Sequence, residues 1–385
     1  MQQLFYVCSM ISLSIWEKES FYAAQDIIIV GAGLMGLWTA LELKKSKPSL
    51  SITILERNET ALGASTRNAG FACFGSPTEL IDDAVTIGEN AMWKMVQARY
   101  KGIKKIRQHF SDAAIQFDEC GGYECLSSND ANIDDKLNWL NKGLQSITGD
   151  EQSFTSVNGQ LGTLGLKGFA SLIKNKSEAA LHSGYLIRSL AQKVQSLGVQ
   201  VLYGAKAISW ESNVNTAEII FNDKKIKAST IIFCTNAFTN ELVPEANILP
   251  ARGQVIVTSP IPHLSMKGTF HFDKGFYYWR NLGNRILLGG ARNKAMNEEQ
   301  TTELTQSSVI QQELENFMRA HLASQHEYTI EHRWSGIMGF SDNKQPFIKA
   351  VEENVFVAMA CNGMGVALTP IIAEDVAAQV LQNFS

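Results

Sequence analysis

The chain has 385 residues, 45% hydrophobic and 19% charged, which suits two interleaved domains or one large α/β unit and excludes disordered and fibrous classes. A net charge of −4 with no basic block argues against nucleic acid as a partner, since neutralising phosphates takes a concentrated Lys/Arg footprint. The six cysteines, at 8, 73, 120, 125, 234 and 361, show no Cys-x-x-Cys spacing, which argues against a metal site or disulfide scaffold and for the reducing cytoplasm.

The apolar stretch Met1 to Trp16 has no Lys or Arg ahead of it and no small-x-small cleavage site. It is also too short to span a bilayer, so a surface-packed segment is expected and no transmembrane one. Asp26 to Val30 is a β-branched apolar run, predicting a buried parallel strand. Gly31-Ala32-Gly33-Leu34-Met35-Gly36 follows, then an amphipathic helix to about Lys45 and a second strand, Ser51 to Leu55, ending on Glu56. The periodicity from Thr78 to Phe110 predicts one or two long helices. A strand is expected at Tyr123 to Leu126 and a helix at Asn132 to Leu144.

A further αβ unit is predicted from a helix at Gly184 to Leu197 and strands at Val199 to Tyr203 and Ile208 to Glu211. A hairpin at Thr216 to Phe221 and a buried strand at Thr230 to Cys234 follow. From Arg252 to Ala291 the pattern turns antiparallel: Val255 to Thr258, then Phe276 to Arg280 joined to Arg285 to Leu288 through Gly283-Asn284. An amphipathic helix is predicted at Thr302 to His321. Val355 to Ala360 is a final strand, and Gly363-Met364-Gly365 leads into a helix from Val366 to Leu381. The fold class is therefore α/β, a Rossmann-like dinucleotide-binding domain with an interleaved antiparallel-sheet α+β domain. Residues 1–90, 165–250 and 330–385 are assigned to the first, and 91–164 and 251–329 to the second.

Each glycine of the first turn has a physical role. Gly31 allows the tight turn, Gly33 lets a pyrophosphate approach the backbone, and Gly36 lets the helix lie close to the strand. The free N–H groups of the helix, starting at Leu34 and Met35, face the diphosphate with the positive dipole end. Glu56, twenty residues past Gly36 and next to Arg57, is placed to accept from the adenosine ribose hydroxyls. NAD and FAD are not separated by this turn alone.

Gly63-Ala64-Ser65-Thr66-Arg67-Asn68-Ala69-Gly70, followed by Phe71, resembles the Gly-x-Ser-x-Arg-Asn-x-Gly segment of the D-amino-acid oxidase-like FAD-dependent oxidoreductases. That group includes glycine oxidase, sarcosine oxidase, D-amino-acid dehydrogenase and γ-glutamylputrescine oxidase. The resemblance covers about Ser14 to Leu381. It implies FAD, with Ser65, Thr66, Arg67, Asn68, Gly70 and Phe71 around the diphosphate and flavin edge, and Ala207 with its backbone at the adenine. Asn362-Gly363-Met364-Gly365-Val366 is similar to the family's C-terminal turn, which sets a helix N-terminus at the flavin N1–C2=O edge. Gly336 falls in the matching flavin-side stretch. Ser14-Ile15-Trp16-Glu17-Lys18 looks like the opening of the putrescine-oxidase-like members.

The same resemblance implies a substrate over the flavin face, losing hydride from a carbon beside nitrogen to give an imine that hydrolyses. His271, Tyr277, Tyr278 and Arg280 are the residues expected to line that pocket. Strand alternation puts Tyr277 and Trp279 on one face and Tyr278 and Arg280 on the other, and the sequence leaves open which faces the ring. Trp334-Ser335-Gly336-Ile337-Met338-Gly339 carries Met338 where glycine oxidase-like members have a carboxylate-clamping arginine. That form is similar to the γ-glutamylputrescine oxidase-like branch, unless Arg280, Arg252 or Arg292 replaces the clamp. Leu287 stands where sarcosine-oxidase-like members have their oxygen-activating lysine, and no tethering cysteine occurs from Ile337 to Ser341, which implies non-covalent FAD. The leading expectation is an amine or amino-acid oxidoreductase using dioxygen or an electron carrier. The alternatives are a dehydrogenase feeding a quinone or carrier, and a flavoprotein with a binding or assembly role.

Overall fold

The structure is a computed structural model, and it describes residues 12–128, 133–341, 344–359 and 361–384. Its first sheet is laid down by short apolar strands. Phe347–Glu352, Val355–Met359, Lys224–Phe233, Gln25–Val30, Ile52–Glu56 and Gln200–Tyr203 lie side by side in that order. Val355–Met359 through Gln200–Tyr203 run parallel, whereas Phe347–Glu352 closes one edge antiparallel. Gln25–Val30 and Ile52–Glu56 are central because both their faces are apolar, and Ile27, Ile28, Ile29 and Ile54 are fully buried.

The second sheet orders Ile330–Phe340, Leu249–Thr258, Arg285–Gly290, Tyr277–Leu282, Thr269–Phe272, Gly122–Leu126, Ser171–Asn175 and Phe154–Ser156. It is antiparallel except where Thr269–Phe272 pairs in parallel with Gly122–Leu126. The expected fold class is thus the one found. Helices Leu34–Ser46, Glu89–His109, Ser183–Ser196 and Gly365–Leu381 cover one face of the first sheet and share a single core with it.

Several local expectations are corrected. The helix after the glycine turn is not amphipathic: Leu34 through Leu43 are all buried, because the helix is wedged between the sheet and its neighbouring helices. The hairpin and buried strand expected at 216–221 and 230–234 become Ala217–Phe221 turning at Asn222 into one ten-residue strand, Lys224–Phe233. The 302–321 helix starts only at Ser308, with Ser307 as its cap residue, and ends in a wider π turn at Met318–Leu322. Ile330–Phe340 had no assignment from its pattern, since Gly336 and Gly339 interrupt the apolar alternation, yet it pairs along the length of Leu249–Thr258.

Three elements also fall on the other side of the expected boundaries. Ser171–Asn175 and Ile330–Phe340 belong to the second sheet. Met95, Ile103 and Ile106 of Glu89–His109 belong to the core of the first. At the N-terminus, Ser14 and Glu17 form a capping box on the short helix Ile15–Glu19, which buries no residue, and residues 1–11 of the expected surface segment lie outside the described residues. Among the described residues, no helix is long and apolar enough to cross a membrane.

Candidate active site between the two sheets

A cavity of about 530 Å³ opens between the sheets, within the usual size range of small-molecule sites. Its first end is the glycine turn. Gly31 has φ +107°, and its N–H donates to Leu55 O at 2.7 Å. A Cβ on Gly36 would overlap Gly31 O, which keeps helix and strand in contact. Gly33 caps the helix with no side chain, and Leu34 N–H donates to Ser65 Oγ at 2.9 Å. The N–H group of Met35, on the cavity wall, has no helical acceptor at this position, so the turn presents a donor to an anion. Glu56 accepts from Ala32 N–H at 3.0 Å through Oε2 and from Asn58 N–H at 3.1 Å through Oε1. Arg57 stacks over the Phe238 ring at 3.7 Å, and Ala207 opens the strand Ala207–Ser212 beside them on the wall.

The 63–71 segment forms the second wall. Its residues hold one another and the opposite sheet. Arg67 Nε donates to Leu62 O and Nη1 to Ser335 O, both at 2.9 Å, while Trp334 Nε1 donates back to Arg67 O at 2.9 Å. Asn68 Nδ2 donates to Ala64 O and Ser65 O, and its Oδ1 accepts from Gly70 N–H and Ser183 Oγ. Arg67 and Asn68 therefore line the cavity while bracing its frame. Gly336 stands across from them, and a Cβ there would sit 3.1 Å from Arg67 Cβ, a tight contact that Arg67 would have to yield to by a few tenths of an ångström.

The far end is built from the second sheet. His271, 5% exposed, meets the 1%-exposed Glu178 with Nε2 and Oε1 2.6 Å apart. Burial alone would lower the His271 pKa, but the charge and hydrogen bond of Glu178, with Glu79 and Glu124 behind it, outweigh burial and raise it to about 9. Cys73 Sγ lies within 4.8 Å of both groups. A 2.6 Å separation marks a proton-bridged pair and is shorter than the spacing of two ligands on one tetrahedral ion, roughly 3.2 Å or more from typical zinc bond lengths. Burial pushes the Cys73 thiol well up, so it is a neutral neighbour. Phe71 stands edge-on to both His271 and Tyr278, at 5.3 and 6.0 Å. Burial raises the Tyr278 hydroxyl to about 12.

Met338 also lies here, on the same strand face as Phe340, and Arg292 lies 4.9 Å over the Phe340 ring. Arg292 is half-buried, and burial lowers its pKa. Among the described residues its one polar contact is Nη1 to Met296 Sδ at 3.4 Å, and no carboxylate pairs with it.

Tyr278 is on the cavity wall. Tyr277 points away, its hydroxyl donating to Glu313 Oε1 at 2.6 Å and its ring stacked on Phe317. Arg280 shares the Tyr278 face but sits beyond the cavity, donating through Nη1 to Gly70 O at 3.0 Å and Leu181 O at 2.9 Å. The expectation that Tyr277 and Arg280 line the pocket is corrected accordingly. Arg252 cannot serve as a clamp either, being paired with buried Glu299 at 2.7 Å.

Thr66, Gly70 and Gly36 are likewise off the wall. Thr66 Oγ1 donates to Ala61 O at 2.6 Å, and Gly70, at φ +74°, is pressed against Leu181 O. The remaining expected cofactor residues, including Gly363, Met364, Gly365 and Val366, do line the cavity. Sequence reasoning missed Glu178 and Arg99. Arg99 could have been found, since it stands on the apolar stripe Met92, Met95, Val96, Gly102, Ile103 and Ile106 of its helix. Glu178 carries no such signal, lying 93 residues from His271.

An uncapped helix start, a glycine turn and an acidic residue at the second strand end fit a dinucleotide, and the comparisons agree. A family model described as FAD dependent oxidoreductase (DAO) matches residues 26–379. The chain is 22% identical over 372 residues to a probable oxidoreductase, OrdL, of Haemophilus influenzae, covering 92% of this chain and 83% of that one. It is 22% identical to the D-amino acid dehydrogenase of Helicobacter pylori, covering 92% and 94%. Two solved structures share the fold. The L-proline dehydrogenase from P. horikoshii has a TM-score of 0.76 at 16% identity, covering 94% of each chain. The glycine oxidase from Geobacillus kaustophilus has a TM-score of 0.71 at 19% identity, covering 94% and 95%. The chain belongs to the DAO family of FAD-dependent oxidoreductases.

Proposed function

We propose that the protein oxidises the C–N bond of an amine or amino acid, with non-covalently held FAD as hydride acceptor. The observation that carries this reading is continuity: one cavity joins the glycine turn at Gly31–Met35 to the walls formed by His271, Tyr278, Met338 and Arg292. Bound FAD would supply the two-electron acceptor, and the chain would supply position and a partly dry pocket. The 31–36 turn and Glu56 would hold the dinucleotide, and Gly336 and the 363–366 turn would flank the ring. The first sheet would carry the cofactor and the second the substrate.

Arg292 refines the substrate class. Met338 offers no charge, Arg280 is bonded to carbonyls and Arg252 to Glu299, so of the three arginines considered for the clamp Arg292 is the one free to meet an anion beside Met338. A substrate bearing a carboxylate is therefore favoured over a plain amine. Leu287, packed with Ala69, Val255 and Val257, puts hydrocarbon where the sarcosine-oxidase-like resemblance has lysine. This supports an electron carrier as acceptor over dioxygen, in the cytoplasm that the free cysteines suit.

Anaerobic mixing of the FAD-loaded protein with matched amines, with and without a carboxylate, tests the reading through bleaching of the flavin bands. The carboxylate-bearing member should bleach at lower concentration, and Arg292→Gln should raise its half-saturation about 10- to 100-fold, as expected for losing a charge-assisted pair. Bleaching by no amine or amino acid refutes the function. Peroxide on re-aeration would favour the oxidase.

A further inference from the structure

Arg99 is a buried guanidinium with an incomplete set of partners. It is 4% exposed, and Nη1 donates to Phe74 O at 3.2 Å. Its Nε is buried without an acceptor, and among the described residues no carboxylate pairs with it. A guanidinium carries five N–H donors, and leaving such a charge buried and unpaired is costly. Arg99 nevertheless lines the cavity, so the missing partner can come from what the cavity holds.

The packing of its helix fixes where that partner lies. Glu89–His109 crosses the final helix, Gly365–Leu381, at Gly102, where a Cβ would overlap Ala367 O. Three residues on, Lys105 Nζ donates to Pro370 O at 3.0 Å. Three residues back along the same face is Arg99, which this register sets beside the first turn of the final helix. Its charge is felt by the Cys361 thiol just before that turn. Two positive features thus converge, a helix N-terminus and a buried cation, at the 363–366 turn.

We propose that Arg99 is a positioning charge for the cofactor, selectively stabilising the reduced flavin. The proposal rests on FAD as cofactor and on the ring edge lying at the 363–366 turn. Accepting a hydride adds two electrons and one proton to the flavin, so the ring gains one net negative charge, while the substrate carbon becomes an imine. The electrons then pass to a carrier or to dioxygen. A fixed cation opposite the new charge favours the reduced form over the oxidised one.

The test uses the FAD-loaded protein and its Arg99→Met variant, with Arg99→Gln as companion should the first not accumulate. The flavin midpoint potential is read against a reference dye, and sulfite affinity is read from bleaching, since the sulfite adduct carries the same ring charge. Both should report at least a tenfold loss for the reduced or adduct form, equal to about 30 mV in a two-electron couple. Arg99→Lys should recover most of it. A variant that holds stoichiometric FAD with unchanged potential and sulfite affinity overturns the proposal. So does a folded variant that cannot hold oxidised FAD, because the charge would then serve binding. Wild-type protein that retains no FAD instead overturns the underlying flavin reading.

Discussion

Glu178→Gln isolates the electrostatics of the His271 pair. The substitution keeps shape and an acceptor for His271 and for Thr269 Oγ1, which donates to the same oxygen at 2.7 Å. It removes the charge together with the long 3.5 Å contact from Asn175 Nδ2 to the other oxygen, which is independent of pH. The raised pKa of His271, from 6.5 to about 9, corresponds to about 3 kcal/mol of stability. The folded pKa lies above the unfolded one, so the folded state binds the proton more tightly. The contribution is complete below about pH 6.5 and is lost as pH rises through about 9. Urea unfolding of both proteins from pH 6 to pH 10 should therefore show wild type losing about 3 kcal/mol relative to the variant as pH rises from acid through about 9. Lysines and tyrosines elsewhere titrate alike in both proteins and cancel in the difference. A gap that does not change with pH would refute the assignment of a proton to this pair.

Other expectations follow from the same geometry. Gly36→Ala should cost about 1–3 kcal/mol or more in thermal unfolding and weaken FAD retention, because its Cβ would overlap Gly31 O and sit 3.2 Å from Ile29 Cγ2. Gly159→Ala, where a Cβ meets nothing within 4 Å, is the control and should lie within about 0.5 kcal/mol of wild type. Tyr277→Phe loses the bond to Glu313 and should cost about 1 kcal/mol while leaving the stopped-flow rate of flavin reduction unchanged; a slowed reduction would contradict its placement away from the cavity. Glu299→Gln strips the charge partner from buried Arg252 and should destabilise by about 3–5 kcal/mol in calorimetry.

The first sheet was legible because its signals are local. The run Asp26 to Val30, the glycines at 31, 33 and 36, and Glu56 at the second strand end lie within one βαβ unit, where spacing alone fixes geometry. The second sheet was legible only in parts. Alternation along 277–280 defines two faces, but choosing between them depends on Thr269–Phe272 and Arg285–Gly290 as flanking partners and on what packs above them. Phe317, from the 308–317 helix, takes the Tyr277 face, and that contact spans forty residues. Arg280 read as a pocket residue because the family resemblance puts the 276–280 strand on the pocket wall. Its actual role, holding the carbonyls of Gly70 and Leu181, leaves no trace in spacing. The helix at 34–46 misled in another way: its lysines cluster in the last turn, imitating a polar face that the rest of the helix lacks.

That buried helix also bears on how the cofactor comes and goes. With Leu34 to Leu43 all buried, the glycine turn is fixed to the main core, and swinging it aside would open that core. The 57–68 stretch is thinner and more exposed, and it is fastened to the second sheet chiefly by the reciprocal Arg67–Ser335 and Trp334–Arg67 bonds. On the proposed function, this strap is the wall of the cavity that can give way with the least loss of buried contact, with the glycine turn as the stationary jamb. Release rates would then track the strength of two hydrogen bonds, while affinity tracks the turn.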